Sequence, residues 1–363
     1  MSQWPDRRLL DLFGLQQPIL QAPMAGSSGV DLAVAVSRGG GLGALPCALL
    51  RPDDVQRQVA EYRQAAPGPL NLNFFCHQQS PPDEAAQAMW LRRLSPYYRE
   101  LGLDLSAAPT GAGRAPFDAD YCAIVEAVRP EVVSFHFGLP DLVLLDRVKA
   151  TGARVISSAT VVAEAVWLAD HGCDAVIAMG LEAGGHRGSF LTDNMSAQPG
   201  LMALLPQVVD AVNLPIIAAG GIADGRGLAA ALALGAAGVQ VGTAYLKSPQ
   251  SLVTDAHRQA LAQASDDGTA LTNLFTGRPA RGIINRLMAE IGPLSPDAPA
   301  FPHAAAALGP LRSASPTPQE FTPLWSGQAA ALAQPMDAEA LTRRLAADGL
   351  AVLAKLSGTL APA

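Results

Sequence analysis

The sequence predicts an α/β fold, a TIM (β/α)8 barrel with a C-terminal cap or lid region, and three observations lead there. Short apolar runs alternate with Ala/Leu-rich helical segments along most of the chain. The runs are apolar on both faces, as in a parallel sheet covered by helices on each side. About eight such βα units in roughly 250 residues is the count of a closed barrel. A doubly wound open sheet carries the same alternation, and periodicity by itself does not separate the two.

The candidate strands, in order, are Pro18–Ala22, Leu42–Ala48, Leu70–Phe75, Val132–Phe137, Arg154–Ala159, Ala175–Ala178, Pro215–Ala219 and Gly238–Thr243. The helical segments are Asp31–Arg38, Pro52–Ala65, Asp83–Leu101, Asp118–Val128, Pro140–Thr151, Val162–His171, Leu201–Val212 and Gly225–Leu234. Several open on Asp or Pro and close on Gly, the expected asymmetry of helix caps. After 264 the character changes. Ser265–Gln328 is rich in Pro, Gly and polar residues, and Asp337–Leu356 reads as a final amphipathic helix. The expected division is a cofactor-binding barrel over 1–264 and a cap or lid with a C-terminal helix over 265–363.

Composition excludes several function classes. Of the 363 residues, 49% are hydrophobic and 16% charged, too rich in core material for a disordered chain. The net charge is −7 and no long basic run offsets it, so no nucleic-acid partner is expected. Cys47, Cys76, Cys122 and Cys173 lack C-x-x-C spacing, which predicts neither a metal site nor a disulfide framework. The most hydrophobic stretch, Leu228–Leu246, is interrupted by Gly235, Gly238, Gln240 and Gly242, and the first ten residues carry no apolar core of leader length. A soluble, cytoplasmic protein with no membrane partner is the expectation.

In such a barrel the chemistry sits just after the strands. The seventh strand runs into Gly220 and Gly221, and the eighth into Gln240, Gly242 and Thr243. Loops in these two positions commonly offer backbone N–H groups to a phosphate, and glycine lets the main chain come close. The sixth strand runs into Glu182-Ala183-Gly184-Gly185-His186-Arg187-Gly188, where His186 is suited to take a proton or to bind an anion. His136 ends the fourth strand and either faces the ligand beside His186 or is a core histidine. His77 follows the third strand with the same two readings. His171 ends a helix and reads as structural, whereas His257 and His303 have no informative context. Asn71 and Asn73 share one face of an apolar strand, where buried amides must find partners, in the protein or on a heterocycle. Ala22, Pro23 and Met24 close the first strand, with a soft side chain fit to lie against a planar ring.

This set resembles the nitronate monooxygenases, formerly called 2-nitropropane dioxygenases. The matching pieces are Gln21–Gly26, Asn71, His136–Pro140, Ser158–Thr160, Glu182–Gly188, Ala218–Ile222, Gln240–Thr243 and Pro323–Gln328, spread over most of the chain. The resemblance implies an FMN-containing TIM barrel. Gly184, Gly185, Gly220, Gly221, Gln240, Gly242 and Thr243 would surround the FMN, with Gly221, Gly242 and Thr243 nearest its phosphate. Ala22, Pro23, Met24 and Asn71 would lie by the isoalloxazine. His186 and His136 match histidines that the bacterial members have at the substrate. The implied reaction is oxidation of an alkyl nitronate, such as propionate 3-nitronate, by O₂ to a carbonyl compound plus nitrite or nitrate. Met179 stands where the family usually has a Gln against the flavin. Phe301 stands where a Tyr is expected, and no Lys occurs between Lys247 and Lys355. FMN-dependent enoyl-acyl carrier protein reductases share much of the pattern. An enoyl reductase, an NAD(P)H:quinone reductase and a non-catalytic flavin-binding protein therefore remain alternatives.

Overall fold

A computed structural model describes residues 4–66, 68–105 and 115–358; 1–3 and 359–363, at the outer ends of the two expected regions, lie outside it. Eleven strands are present among these residues: β1 Ile19–Gln21, β2 Gly43–Pro46, β3 Leu70–Phe75, β4 Val132–His136, β5 Arg154–Ala159, β6 Ala175–Met179, β7 Gly185–His186, β8 Ile216–Ala219, β9 Gly238–Val241, β10 Thr269–Thr272 and β11 Ala280–Ile283. Eight of them form one parallel sheet in the order β1-β9-β8-β6-β5-β4-β3-β2. Its two ends meet. Leu20 bridges Leu42, the Gln21 amide donates to the Leu42 carbonyl at 2.9 Å, and the Leu42 amide donates to the Ile19 carbonyl at 2.9 Å. The Gln21 side chain adds two more bonds across the seam, donating Nε2 to the Ala44 carbonyl (3.0 Å) and accepting from the Ala44 amide (3.2 Å). The sheet is a barrel, and the open alternative falls.

Alternation explains why each strand reads as apolar throughout. Leu20, Leu42, Val132, Ile156, Ile177 and Ile217 form one buried cluster with Leu9 and Phe13 of the helix Arg8–Phe13, which plugs the end where the strands begin. The alternate residues, among them Val133, Phe135, Val155, Val176, Ala218 and Val241, belong to the larger cluster shared with the surrounding helices. Each aliphatic side chain buried this fully contributes about 1.5–3 kcal/mol relative to exposure. Asp83 and Asp118 cap their helices by accepting first-turn amides, so the starts read there hold; Asp141 and Asp224 cap the helices expected from Pro140 and Gly225, and the helix expected from Asp31 begins at Val30.

Two segments differ from the simplest reading. The helix Glu84–Glu100 follows β3 but leaves the barrel. Its Trp90, Leu94 and Tyr98 pack against Leu274, Phe275, Leu308, Leu311 and Phe321 in a separate core. The barrel helix of that unit is Ala119–Val128, packed between Pro52–Ala65 and Leu142–Ala150. Hydrophobic spacing marks a helix and not its partner. The region after 264 also divides. β10 and β11 pair antiparallel, and β11 pairs with β7, making a three-stranded sheet attached to the sixth-strand loop. The helix Ala338–Gly358 instead packs on Val30–Arg38 and Gly225–Ala233, completing the ring of helices. The crossing is close: a Cβ on Gly225 would lie 2.5 Å from the Asp348 Cβ, and one on Gly349 would lie 2.8 Å from a Leu228 methyl.

Candidate active site

The barrel strands end at a cleft with about 1290 Å³ of empty space, part of it open to solvent. Ala22, Pro23, Met24, His136, Met179, Gly184, Gly185, His186, Gly220, Gly221, Gln240, Gly242 and Thr243 all line it. Asn71 does not. It is fully buried, two residues before the cleft-lining Asn73 on the same face of β3. Asn73 donates Nδ2 to the Ser134 carbonyl (3.2 Å) and hydroxyl (3.0 Å), tying β3 to β4. Neither polar atom of the Asn71 amide has a hydrogen-bond partner, nor has the Gln240 Oε1. Buried amides left so are costly, about 1–3 kcal/mol each, and point to a polar ligand or water within the barrel.

The glycine loops are open by necessity. Gly220 and Gly221 have φ of 113° and 69°, and Gly185 has 74°, all in the region that L side chains avoid. A Cβ on Gly184 would lie 2.5 Å from the Gly327 amide nitrogen. That nitrogen donates to Thr243 Oγ1 at 2.9 Å, and the Gln328 amide donates to the Glu182 carbonyl at 3.0 Å. The returning segment is thus clasped between the sixth- and eighth-strand loops. The first turn of the helix Gly225–Ala233 is already occupied by the Asp224 carboxylate, which accepts the Arg226 amide at 2.9 Å. The glycine backbone, rather than that helix end, is the surface left for an anion.

Behind the sixth-strand loop runs a buried polar chain. Glu164, fully buried, accepts the Thr160 amide (2.7 Å) and hydroxyl (2.8 Å) on one oxygen, and the Phe190 (2.7 Å) and Leu191 (3.1 Å) amides on the other. Thr160 Oγ1 accepts from Gln198 Nε2 at 2.9 Å, and Gln198 Oε1 accepts from Arg187 at 2.7 and 3.1 Å. Arg187 donates onward to the Gly180 (2.6 Å) and Met179 (2.8 Å) carbonyls. Burial, with Arg281 nearby, pushes its guanidinium down to about 10, so it stays charged at neutral pH. Arg187 follows His186 directly in sequence, yet sequence reasoning gave it no role. A lone Arg in a Gly-rich turn reads as solvated.

The two expected histidines come together differently from one another. His136 is held at both nitrogens: Nδ1 lies 3.2 Å from the Ser158 hydroxyl and Nε2 3.1 Å from the His186 carbonyl. A carbonyl only accepts, so Nε2 carries the proton and Nδ1 takes the Ser158 hydroxyl. Burial, opposed by the bond to the His186 carbonyl and aided by Arg278 and Arg187, lowers its pKa to about 4. A neutral ring engaged on both sides ties the His186 backbone to Ser158. Gly188 allows this, since a Cβ there would lie 2.9 Å from His136 Cε1.

His186 sits on β7 opposite Ala280, with Nε2 2.9 Å from Thr276 Oγ1. Its ring is surrounded by Trp325, Phe301, Phe137 and Phe75. Phe137 holds a φ of 72°, a conformation costly for an aromatic residue, directly before Gly138 at 91°. His77 is buried 4.8 Å from the Phe301 ring. His171 stacks on Trp167 at a helix end, as its position suggested. His257 and His303 each bond a carbonyl, of Trp325 (3.2 Å) and Ser80 (2.8 Å). Among the described residues no group of three or more His, Cys, Asp or Glu is placed to hold a metal, and no helix is long and apolar enough to cross a membrane.

The comparisons with known proteins agree with this geometry. A family model described as nitronate monooxygenase matches residues 6–348. A nitronate monooxygenase of Paraburkholderia phytofirmans is 39% identical over 349 residues, covering 95% of each chain. One of Pseudomonas aeruginosa is 39% identical over 342 residues, 93% of this chain and 97% of that protein. Among solved structures, a nitroalkane oxidase from Streptomyces ansochromogenes superposes with a TM-score of 0.85 at 35% identity, covering 96% of this chain and 99% of that one. FabK from Thermotoga maritima gives 0.75 at 28% identity, covering 97% and 99%. The chain belongs to the nitronate monooxygenase family and is a flavin-dependent oxidoreductase.

Proposed function

We propose that the cleft binds FMN and that the enzyme oxidises alkyl nitronates with O₂, yielding a carbonyl compound and nitrite or nitrate. The observation that carries this reading is one cleft lined both by the paired glycine loops and by His186. FMN, when bound, supplies the electron transfer between the nitronate and O₂. Gly220, Gly221, Gly242 and Thr243 would hold its phosphate, where a side chain in place of either positive-φ glycine would intrude. Gln240 holds a buried amide oxygen that a polar ring edge would satisfy, Ala22, Pro23, Met24 and Met179 supply apolar contact, and Asn71, below the cleft floor, would not touch the ring. The absence of a dinucleotide fingerprint favours FMN over FAD.

His186 orients the nitronate. The Thr276 hydroxyl donates to the Arg278 carbonyl (3.3 Å), so toward His186 it acts as acceptor and places the ring proton on Nε2. Toward a preformed nitronate the ring only binds; toward a neutral nitroalkane it would also have to take a proton. His136 keeps the His186 backbone in place. The test is the visible spectrum of the purified protein, the mass of the released cofactor, and anaerobic titration with a nitronate and then NADPH. FAD, or no flavin after saturation with FMN, would refute the cofactor. Bleaching by NADPH and not by the nitronate would move the reading to an enoyl or quinone reductase.

A further inference from the structure

We infer that Arg278 is a positioning residue for His186: laid on the Phe137 ring, its guanidinium joins the turn that carries Thr276 to the barrel loops after β4 and β6. This rests on the reading of His186 as the group that meets the substrate, and deepens it. Arg278 stands in the turn between β10 and β11. Its guanidinium carbon lies 4.0 Å from the centroid of the Phe137 ring, and Nη2 donates to the Ser189 carbonyl. The Arg278 carbonyl accepts the Thr276 hydroxyl at 3.3 Å, and that hydroxyl oxygen is 2.9 Å from His186 Nε2. Phe137 in turn stands edge-on to the His186 ring, 6.1 Å between centroids at 84°. Pairing of β7 with β11 sets the His186 backbone. The ring takes its orientation from what surrounds it, and Arg278 touches two of those groups, Thr276 and Phe137.

Packing by itself does not account for an arginine here. Burial pushes its pKa below the ordinary guanidinium value, and its buried Nε has no hydrogen-bond partner. It forms no ion pair among the described residues. Asp193 and Glu164 attract it without contact, and Glu164 already accepts four donors, the Thr160 amide and hydroxyl and the Phe190 and Leu191 amides. A charge held in this way pays a desolvation penalty that a methionine would avoid, and replacing such a charge by an apolar side chain often leaves a fold as stable or more so. The ring beneath it is held in strain as well, since Phe137 has a φ of 72°. Two unfavourable features stacked against one histidine are the mark of a site that keeps its geometry at the expense of stability.

The experiment compares the FMN-loaded wild type with Arg278→Met. With a nitronate as substrate, the variant should lose about tenfold or more in kcat while KM changes by less than about threefold. Its flavin should stay bound, and its urea midpoint should be unchanged or higher. Combined with Phe137→Leu the loss in kcat should be less than additive, because both changes remove one contact. A second measurement needs no turnover: nitrogen-15 spectra of the imidazole rings, six in the chain, with His186 assigned by the signals missing from His186→Asn. The wild type should show His186 as one tautomer protonated on Nε2, and Arg278→Met a mixture of tautomers. Unchanged kcat, full additivity with Phe137→Leu, or a single His186 tautomer in Arg278→Met would each overturn the inference. So would a loss of kcat matched by a lower urea midpoint, which would make Arg278 a packing residue. If the wild type oxidised no nitronate, the reading of the cleft would fall, and the ring spectra would still decide for or against Arg278.

Discussion

The two halves of the cleft are built by different means. The cradle on the barrel side is main chain: Gly184, Gly185, Gly220, Gly221 and Gly242 open a surface, and Thr243 and Glu182 clasp the returning Gly327 and Gln328 to it. The chamber around His186 is side chain: Phe75, Phe137, Phe301 and Trp325 gather round the ring from four separate stretches of sequence. Such a surface tolerates little substitution, because an added Cβ at Gly184, Gly185, Gly220 or Gly221 meets backbone or forces a left-handed φ. A side-chain chamber is tolerant, and tolerance is what lets substrate choice vary while the cofactor stays fixed.

The largest effect expected from breaking this contrast is in the cradle. Gly221→Asp puts a carboxylate where φ is 69° and where Glu182 Cβ already lies 3.6 Å from the new Cβ. Flavin affinity should fall by about a thousandfold or more, as for a desolvated like-charge contact of several kcal/mol. Ultrafiltration and cofactor fluorescence measure it; a folded variant with unchanged affinity would make the loop merely structural. Arg187→Met is next. It strands the Met179 and Gly180 carbonyls and the Gln198 amide oxygen in the interior and should cost about 3–5 kcal/mol in urea unfolding. A loss below about 1 kcal/mol would mean that the buried chain does not hold the sixth-strand loop.

The His136 contribution is smaller and depends on pH. Burial lowers its pKa from the ordinary 6.5 to about 4 in the folded protein. As pH falls through that window the unfolded chain takes up a proton that the folded one refuses. The stability tied to the neutral ring is therefore complete above about pH 6.5 and is lost on acidification toward about pH 4, on the order of 2–3 kcal/mol. His136→Gln should flatten the slope of unfolding free energy between those pH values, and an unchanged slope would show that another group titrates. The smallest effect belongs to Thr276→Val, which removes the acceptor at His186 Nε2. It should lower kcat/KM about tenfold with flavin retained and shift the acid limb of the pH profile, whereas Thr276→Ser should restore both. A drop in both variants without a change of profile would assign Thr276 to packing alone.

The same contrast explains what could be read from the sequence. The barrel and its cradle were legible because strand period, Asp caps and paired Gly loops are local signals; β3, β5 and the start of β4 at Val132 fall where the apolar runs placed them. The chamber was not. Nothing within Thr269–Ile283 announces that it pairs with Gly185–His186, or that Thr276 meets the histidine. The helix Glu84–Glu100 has the amphipathy of a barrel helix, and only its Trp90 and Tyr98, bonded to the Ala304 and Ala307 carbonyls, commit it to the cap. Asn71 and Asn73 share a face as the period of two requires, but the depth at which the cleft floor cuts that face is a tertiary property. His136 lines the cleft as expected, but the bonds that engage both its nitrogens were not legible, because Ser158 and the His186 carbonyl are 22 and 50 residues away.

The central claim is that His186, held by the cap over a flavin cradled by the barrel, acts on the substrate. It is tested most directly by kcat/KM across pH for the wild type and His186→Asn, with a preformed nitronate and with its parent nitroalkane. The variant should keep its flavin. It should lose about 10²–10⁴-fold with the nitroalkane, together with the ascending limb of the pH profile, and less with the nitronate, where the proton is already gone and the loss falls partly on apparent affinity. Equal activity of both proteins on both forms would remove His186 from the chemistry and contradict the account.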